Sequence, residues 1–411
     1  MSSHTLSVDV LVIGAGPVGG LAAALLAGTG LAVAVVEAAA PAAIGRANSD
    51  GRALAVAFSA QRALKAGGLW PHVAAIAQPI LDIRVTDGAS PLFLHYDHRA
   101  VGDQPLGWIV EAEALRAAAL ARLGELPGVK LLAPARVAEW RYGPGAVDAV
   151  LADGRAIRAS LVVAADGRAS PTRAAADIGV SAIDYHQHGI VCAIAHRRPH
   201  RGIAHEHFLP AGPFAILPMA PATGAAHRSG IVWTERSALA PDIVAQDDAA
   251  FLAEMAPRVG DFLGDIRLSG TRLAYPLSLQ LAERVIDRRL ALVGDAAHGM
   301  HPIAGQGMNI GIRDVAALAE AVVDARRLGL DPGGAAVLER YRRWRGFDTL
   351  AMLAATDGLN RLFSNDFGPL RLARDLGLAA VERLPAVKKL FMRHAMGVVG
   401  DLPRVLRGER L

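Results

Sequence analysis

Val8-Asp9-Val10-Leu11-Val12-Ile13-Gly14-Ala15-Gly16-Pro17-Val18-Gly19 opens the chain, followed by an apolar run to Ala27 and a second from Ala32 to Val36. Val8 to Ile13 is short, rich in β-branched residues and closed by glycine, which predicts a buried strand. The glycines fit G-x-G-x-x-G in the place that gives the pattern meaning, after a strand and before a helix. Gly14 permits the tight turn, Gly16 lets a pyrophosphate approach the backbone, and Gly19 lets helix and strand pack closely. The helix over Leu21 to Ala27 then offers free N–H groups and a positive dipole end to a diphosphate. Glu37 ends the second strand, about 20 residues on, where a carboxylate accepts hydrogen bonds from ribose hydroxyls. A chance glycine pattern on a packed βαβ unit has no need of that acid, so the stretch predicts a dinucleotide site. Alone, it does not separate FAD from a nicotinamide dinucleotide.

Val10 to Val36 holds no charged residue, and its length exceeds a membrane span of about 20 residues. Yet Gly14, Gly16, Gly19, Gly20, Gly28, Gly30 and Pro17 divide it. Strands covered on both faces are apolar throughout, so strand, turn, helix and strand is the better reading. No basic stretch precedes it, so no signal peptide is expected, and no transmembrane segment is expected elsewhere.

The 411 residues are 52% hydrophobic and 20% charged, the composition of a folded globular protein. The net charge is +4. No dense Lys/Arg stripe with interleaved aromatics is present, which excludes a nucleic-acid binder. Asp366 to Leu411 alone carries nine Lys/Arg against five Asp/Glu. Such a tail suits an anionic membrane surface, an acidic partner or an ordinary solvated helix face. Cys192 is the one cysteine. It rules out an internal disulfide framework and a CxxC pair, and with them the dithiol chemistry of flavin disulfide reductases. A reducing cytoplasm is the simplest compartment.

Two later stretches repeat the pattern of a buried strand ending in an acid and glycine. Leu161-Val162-Val163-Ala164-Ala165-Asp166-Gly167 is the first, followed by Arg168 and Arg173. Leu290-Ala291-Leu292-Val293-Gly294-Asp295 is the second, running through His298 into His301-Pro302-Ile303-Ala304-Gly305-Gln306-Gly307-Met308-Asn309. An acid at a strand's C-terminal edge can hold the ribityl hydroxyls of FAD. A Gly-rich turn lets backbone N–H groups approach the flavin pyrimidine, and the helix beginning there would stabilise negative charge on reduced flavin.

The rest of the chain reads as helices over Ser59–Ala66, Ala112–Leu123 and Gly307–Ala325, and as helix after Gly334 with breaks at Pro369, Pro385 and Pro403. Strands are expected between Ile80 and His95 around an Asp87-Gly88 turn. A meander is expected from Val129 to Ala152, and several short strands from Ser181 to Glu235. The expected fold is α/β: a Rossmann-like FAD-binding domain with an inserted β-sheet substrate domain and a C-terminal helical segment. Residues 1–79, 106–180 and 275–335 would form the first, 80–105 and 181–274 the second, and 336–411 the third.

The order of the three strand-and-glycine motifs resembles the class A flavoprotein monooxygenases, the group of p-hydroxybenzoate hydroxylase. Within it the chain is most similar to the ubiquinone-biosynthesis ring hydroxylases. The stretches that carry this are Ser49-Asp50-Gly51-Arg52-Ala53-Leu54-Ala55, Gly212-Pro213-Phe214-Ala215-Ile216-Leu217-Pro218, Val232-Trp233-Thr234, Tyr275-Pro276-Leu277, and Gly294-Asp295 through Asp314. The resemblance implies that Glu37 binds the adenosine ribose, Arg52 approaches FAD and Asp295 holds the ribityl chain. Gly305, Gly307, Met308 and Asn309 would cradle the isoalloxazine, and Asp166 would join the cofactor site. The family places Arg or Gln ahead of the Ala112–Leu123 helix, near the diphosphate. Glu113 stands there in this chain, and Arg116, one turn later, is the substitute cation.

Only one G-x-G-x-x-G is present, so NAD(P)H would visit as a transient reductant and FAD would fill the fold. The resemblance implies flavin reduction by hydride, oxygen addition at C4a, and transfer of oxygen from the hydroperoxide to an electron-rich phenol ring. The flavin carries that chemistry, so no catalytic side chain is nominated. The expected substrates are O2 and a lipophilic polyprenyl phenol, with Leu217, Pro218 and Pro302 as pocket walls. His298 and His301 tempt as metal ligands, but no nearby carboxylate or cysteine completes a site, and no metal is expected. A flavoenzyme epoxidising or reducing an isoprenoid double bond, a flavin-dependent halogenase, and a non-catalytic scaffold in a lipid-modifying complex stay open as alternatives. Leu384 to Val399 sets Lys388, Lys389 and Arg393 among Leu390, Phe391, Met392 and Met396. Such a helix either lies in a headgroup layer or packs on the flavin domain, so the protein is expected in the cytoplasm, peripheral to the inner membrane or in a ubiquinone-biosynthesis complex.

Overall fold

The computed structural model describes residues 5–41, 52–88, 90, 93–364 and 368–411. Ser49, Asp50, Gly51 and Asp366 lie outside the described residues. The opening stretch forms β1 (Leu6–Ile13), α1 (Pro17–Ala27) and β2 (Val33–Val36). Next come β3 (Ala53–Ala57), α2 (Phe58–Ala66), β4 (Gln78–Ile80), β5 (Asp82–Asp87), β6 (Phe93–Asp97), β7 (Gly107–Glu111), α3 (Ala112–Glu125) and β8 (Val129–Leu132). A hairpin of β9 (Val137–Tyr142) and β10 (Val147–Leu151) precedes β11 (Ala156–Ala164) and the short α4 (Pro171–Ala175).

The first sheet is parallel at its centre, in the order β19–β11–β1–β2–β8, where β19 is Leu290–Leu292. Its register sets Val10 against Leu161 and Val33, and Val162 against Leu290. Alternate residues of each strand enter different cores. Val10, Val12, Leu161 and Val163 join the core that includes Leu21, Leu25 and Val315. Leu11, Ile13, Val162 and Ala164 join a second core on the other face. Both faces are covered, which is why these strands show no polar alternation. β8 departs from the expected meander. It pairs parallel with β2, and only β9 and β10 form a hairpin.

The second sheet contains β12 (Val180–His196), β13 (Ile203–Leu209), β14 (Gly212–Met219), β15 (Arg228–Arg236), β16 (Ile266–Leu268) and β17 (Leu273–Ala282), with β5 and β6 beyond β13. Of the short strands expected here β13, β14 and β15 are present, but β12 is one strand of 17 residues, interrupted by a register shift between Asp184 and Gln187. The expected boundary at residue 275 falls inside β17, which pairs with β12 along its length. One face of this sheet packs Phe214 and Trp233 against Phe251 and Met255 of α6 (Asp248–Val259), which follows α5 (Ala240–Ala245). The other face borders a large cavity.

After the edge strand β18 (Ile286–Asp287), its neighbour β19, and β20 (His298–Gly299), the chain turns through Ile303–Gly305 into α7 (Gly307–Arg327). Then follow α8 (Ala335–Phe363), α9 (Gly368–Arg383), α10 (Pro385–Ala395) and α11 (Arg404–Arg407). α8, α9 and α10 close the cavity. The Arg374 guanidinium of α9 meets the Asp87 carboxylate at the end of β5 at 2.7 and 3.2 Å, both side chains buried. Met392 of α10 and Met396 just beyond it pack with Ile80, Leu106 and Ile109. Among the described residues no helix is long and apolar enough to cross a membrane.

Candidate cofactor and substrate site

Gly14 sits at φ +99°, and a Cβ there would lie 2.4 Å from the Ala165 carbonyl oxygen. A Cβ on Gly19 would lie 2.0 Å from the Gly14 carbonyl. These two glycines let the turn, α1 and β11 come together. Gly16 has no atom within 4 Å of its Cβ position and borders the cavity. It is also the N-cap of α1 and carries no side-chain cap, so the first turn of the helix presents backbone N–H groups there. Glu37 orders the same turn: its carboxylate oxygens accept from the Ala15 and Ala39 amides, each at 2.8 Å. A carboxylate has about four acceptor sites, which leaves capacity for ribose hydroxyls.

The cavity has a volume of about 1260 Å³. At one end it is bordered by Gly16, Arg52, Arg116, Asp295, Gly305 and Gly307, together with Met308 and Asn309. Asp295 is exposed and its carboxylate has no hydrogen-bond partner among the described residues. Asn309 staples this end. Its amide donates to the Ala55 and Gly305 carbonyls at 3.0 and 3.2 Å and its oxygen accepts from the Ala57 amide at 2.9 Å. An uncapped helix start, two cations and a free carboxylate along one groove fit an FAD molecule, with the diphosphate toward α1 and the ribityl chain toward Asp295.

Not every expected residue lines the cavity itself. Gly14, Gly19 and Glu37 shape the turn without bordering the cavity. Asp166 accepts from Ser170 Oγ and, at 3.0 Å, from the Thr172 amide, so its carboxylate caps α4 and does not face the cofactor groove. The neighbouring Gly167 and Arg168 do border the groove. Leu217 and Pro302 line the cavity, whereas Pro218, one residue on and therefore on the other face of β14, does not. His298, for which no carboxylate partner was expected, has one in Asp314 at 2.6 Å. His301 is buried beside the Tyr185 ring, 5.3 Å between centroids, and burial pushes its pKa down to about 4.

Beyond the cofactor end the walls are apolar. The second sheet contributes Val85, Ala204, Phe208, Ala215, Leu217 and Val232. α8, α9 and α10 contribute Met352, Leu359, Leu378, Val381 and Phe391, among others. Two ionisable groups on the sheet face were missed from sequence. Tyr96 is pushed up to about 12, first by burial and then by the Glu382 carboxylate. Burial pushes Glu206 up to about 7. The available signal was the alternation of β13, which puts Glu206 on one face with Ala204 and Phe208.

The FAD binding domain family matches residues 7–345. The chain belongs to this family. Ubiquinone hydroxylase UbiL of Rhodospirillum rubrum is 54% identical over 406 residues, covering 98% of this chain and 93% of that protein. The 3-demethoxyubiquinol 3-hydroxylase of Escherichia coli is 32% identical over 392 residues, covering 95% and 98%. Among solved structures, p-nitrophenol 4-monooxygenase PnpA from Pseudomonas putida superposes with a TM-score of 0.79 at 19% identity, covering 96% of this chain and 99% of that one. That likeness is one of fold. PqsL of P. aeruginosa, in complex with 2-aminobenzoylacetate, gives 0.74 at 25% identity, with 90% and 100% covered.

Proposed function

We propose that this member of the FAD family is a monooxygenase that hydroxylates the phenolic ring of a polyprenylated intermediate of ubiquinone biosynthesis. O2 is the co-substrate and NAD(P)H the transient reductant. The observation that carries the reading is the continuity of one cavity, from the Gly16–Asp295 groove to an apolar chamber under α8, α9 and α10. Its volume exceeds the roughly 300–1,000 Å³ of ordinary ligand pockets, enough for the flavin end of a dinucleotide and a lipophilic substrate beside it. The two hydroxylases of ubiquinone metabolism named above support the substrate class by their similarity.

FAD, when bound, supplies the hydride-accepting and oxygen-activating chemistry. Glu37, Asp295, Arg52, Arg116 and the first turn of α1 would hold it. The start of α7, which borders the same end, directs its positive dipole there and favours negative charge. The chain's other contribution is exclusion of water: aliphatic and aromatic walls surround the ring, and a dry site strengthens each polar contact made in it.

Leu359 and Leu362 of α8 and Phe391 of α10 line the cavity while remaining 40%, 38% and 47% exposed. They therefore form a mouth through which a prenyl tail passes. Exposed Leu384, Leu390, Lys389 and Arg393 stand near it in sequence. This rim suits contact with an anionic membrane from the cytoplasmic side, and a ubiquinone-biosynthesis complex is the alternative means of delivery. The activity is tested by following NAD(P)H oxidation on addition of a panel of prenylated phenols and analysing products by mass. A product heavier by one oxygen atom is expected; reductant consumption that no phenol stimulates would count against the reading.

A further inference from the structure

We propose that Glu206 recognises the ring hydroxyl of the phenolic substrate and so fixes which edge of the ring faces the cofactor end of the cavity. The inference rests on the reading of the protein as a phenol hydroxylase. Glu206 lies in β13 with Val85 of β5 beside it on one side and Ala215 of β14 on the other. All three border the cavity, as do Ala204 and Phe208, the next residues on the same face of β13. The carboxyl is thus set in a floor of methyl groups and an aromatic ring. It has no hydrogen-bond partner among the described residues.

Its position relative to the cofactor end is defined by those flanking residues. Phe208 packs in a cluster with Ile303, at the start of the turn into α7. Ala204 belongs to a cluster that includes Ala55 and Leu217. Ala55 in turn accepts the Asn309 amide and touches the Gly305 position. Glu206 therefore stands between two packed columns that each reach the 303–309 turn. A ring held by its hydroxyl at Glu206 lies beside that turn, and its tail extends along the apolar walls toward Leu359 and Phe391.

An unpaired polar group facing an apolar chamber costs free energy unless a partner joins it. No residue of β5, β14 or β13 supplies one. Of the ionisable groups facing the chamber from other elements, Arg374 of α9 is already held by Asp87. Tyr96 of β6 and His394 of α10 also border the cavity. Burial alone, with no charged neighbour, lifts the Glu206 carboxyl to about 7. A carboxyl titrating there accepts from a phenol O–H when ionised and donates to the phenol oxygen when protonated. A ring without a hydroxyl offers the ionised form nothing.

The test uses the FAD-loaded enzyme with 2-geranylphenol and its O-methyl ether as probes. Binding is read by fluorescence quenching at about pH 6 and about pH 8, alongside NAD(P)H oxidation, for wild type, Glu206→Gln and Glu206→Leu. At about pH 8 wild type should prefer the phenol over the ether, and Glu206→Leu should lose about tenfold or more in phenol affinity there while its ether affinity is unchanged. Protonated Glu206 donates to the ether oxygen as well, so the wild-type preference should narrow at about pH 6, and Glu206→Gln should remove that pH dependence, a change that a packing role would not produce. Equal losses for phenol and ether at about pH 8, or the wild-type pH dependence of the preference in Glu206→Gln, would overturn the assignment while phenol-stimulated hydroxylation persists. A wild-type enzyme that neither binds the phenol nor consumes NAD(P)H with it would instead bring down both readings.

Discussion

His298 Nε2 lies 2.6 Å from a carboxylate oxygen of Asp314, with both side chains buried. The same oxygen accepts the Gly294 amide at 3.0 Å, and the other oxygen accepts Arg345 Nε at 2.8 Å. One carboxylate thus ties the Gly-Asp turn, the strand after it, α7 and α8 together. Burial by itself would raise the Asp314 pKa. Facing His298 and Arg345 outweighs it and holds the group below the ordinary 3.8. A depressed carboxylate stabilises the fold above its unfolded pKa, and that contribution is lost as pH falls through the folded value. Removing one partner of a buried pair costs about 3–5 kcal/mol. Asp314→Ala should lose stability on that order in denaturant unfolding at neutral pH, and the gap to wild type should narrow as pH drops below about 4. An unchanged midpoint would show that the network is not structural.

Asp295 stands on the turn that this network holds, exposed and pointing its own carboxylate at no other described group. Asp295→Ala therefore costs the fold little and the cofactor much. A hydrogen bond to a charged group contributes about 1.5–3 kcal/mol, so FAD affinity should fall roughly ten- to a hundredfold. Flavin absorbance per chain after gel filtration, with an unchanged circular dichroism spectrum, measures this. Full retention of FAD would remove Asp295 from the site.

Gly14→Ala tests the opening turn separately. The residue would need φ near +99° and would bring a Cβ to 2.4 Å from the Ala165 carbonyl. Strain of this kind costs about 1–3 kcal/mol before the clash is counted. The variant should be less stable and poor in FAD. Gly16→Ala meets no protein atom, so it should fold normally and lose flavin only. Variants equal to each other in stability would contradict this division of roles.

The features legible in sequence are those whose cause is local. The β1–α1–β2 unit, the Gly294-Asp295 turn and the start of α7 each follow from a run of a few residues and the glycines that close it. What was not legible depends on partners far along the chain. β8 resembles the hairpin strands after it, and only its place beside β2 takes it out of the meander. Asp166, like Asp295, ends a buried strand beside a glycine, yet Ser170 and Thr172 draw it into capping a helix. His298 found its carboxylate 16 residues on, across a turn and into a helix. Glu206 is one letter in a polar run, His205-Glu206-His207, until the sheet shows which face is apolar.

Among the described residues one dinucleotide fold is formed, and FAD fills it, so NAD(P)H binding in the absence of substrate should be weak. Titration of the FAD-loaded protein with NADH and NADPH should give no stoichiometric complex at micromolar concentrations. A tight complex beside bound FAD would require a second site and would change the account of reduction.

Lys388, one of the basic residues of α10, is paired with Glu382 at 2.7 Å and is half-buried. Lys389 and Arg393 are exposed, and so are Leu390 and Phe391, while Met392 is buried against the core. The helix therefore packs by Met392 and leaves a basic and apolar face outward, beside the mouth that Phe391 shares with Leu359 and Leu362. A face of this composition binds anionic interfaces through its apolar residues and its charge together. Each cation near an anionic surface contributes about 1 kcal/mol. Lys389→Glu with Arg393→Glu should then weaken binding to phosphatidylglycerol-containing vesicles by well over tenfold, and salt should weaken the wild type in the same direction. Phe391→Ser should reduce vesicle binding while leaving salt sensitivity in place. Cosedimentation measures both. Wild-type protein that stays in the supernatant at low salt would dismiss the membrane contact and leave a protein complex as the proposed route of substrate delivery.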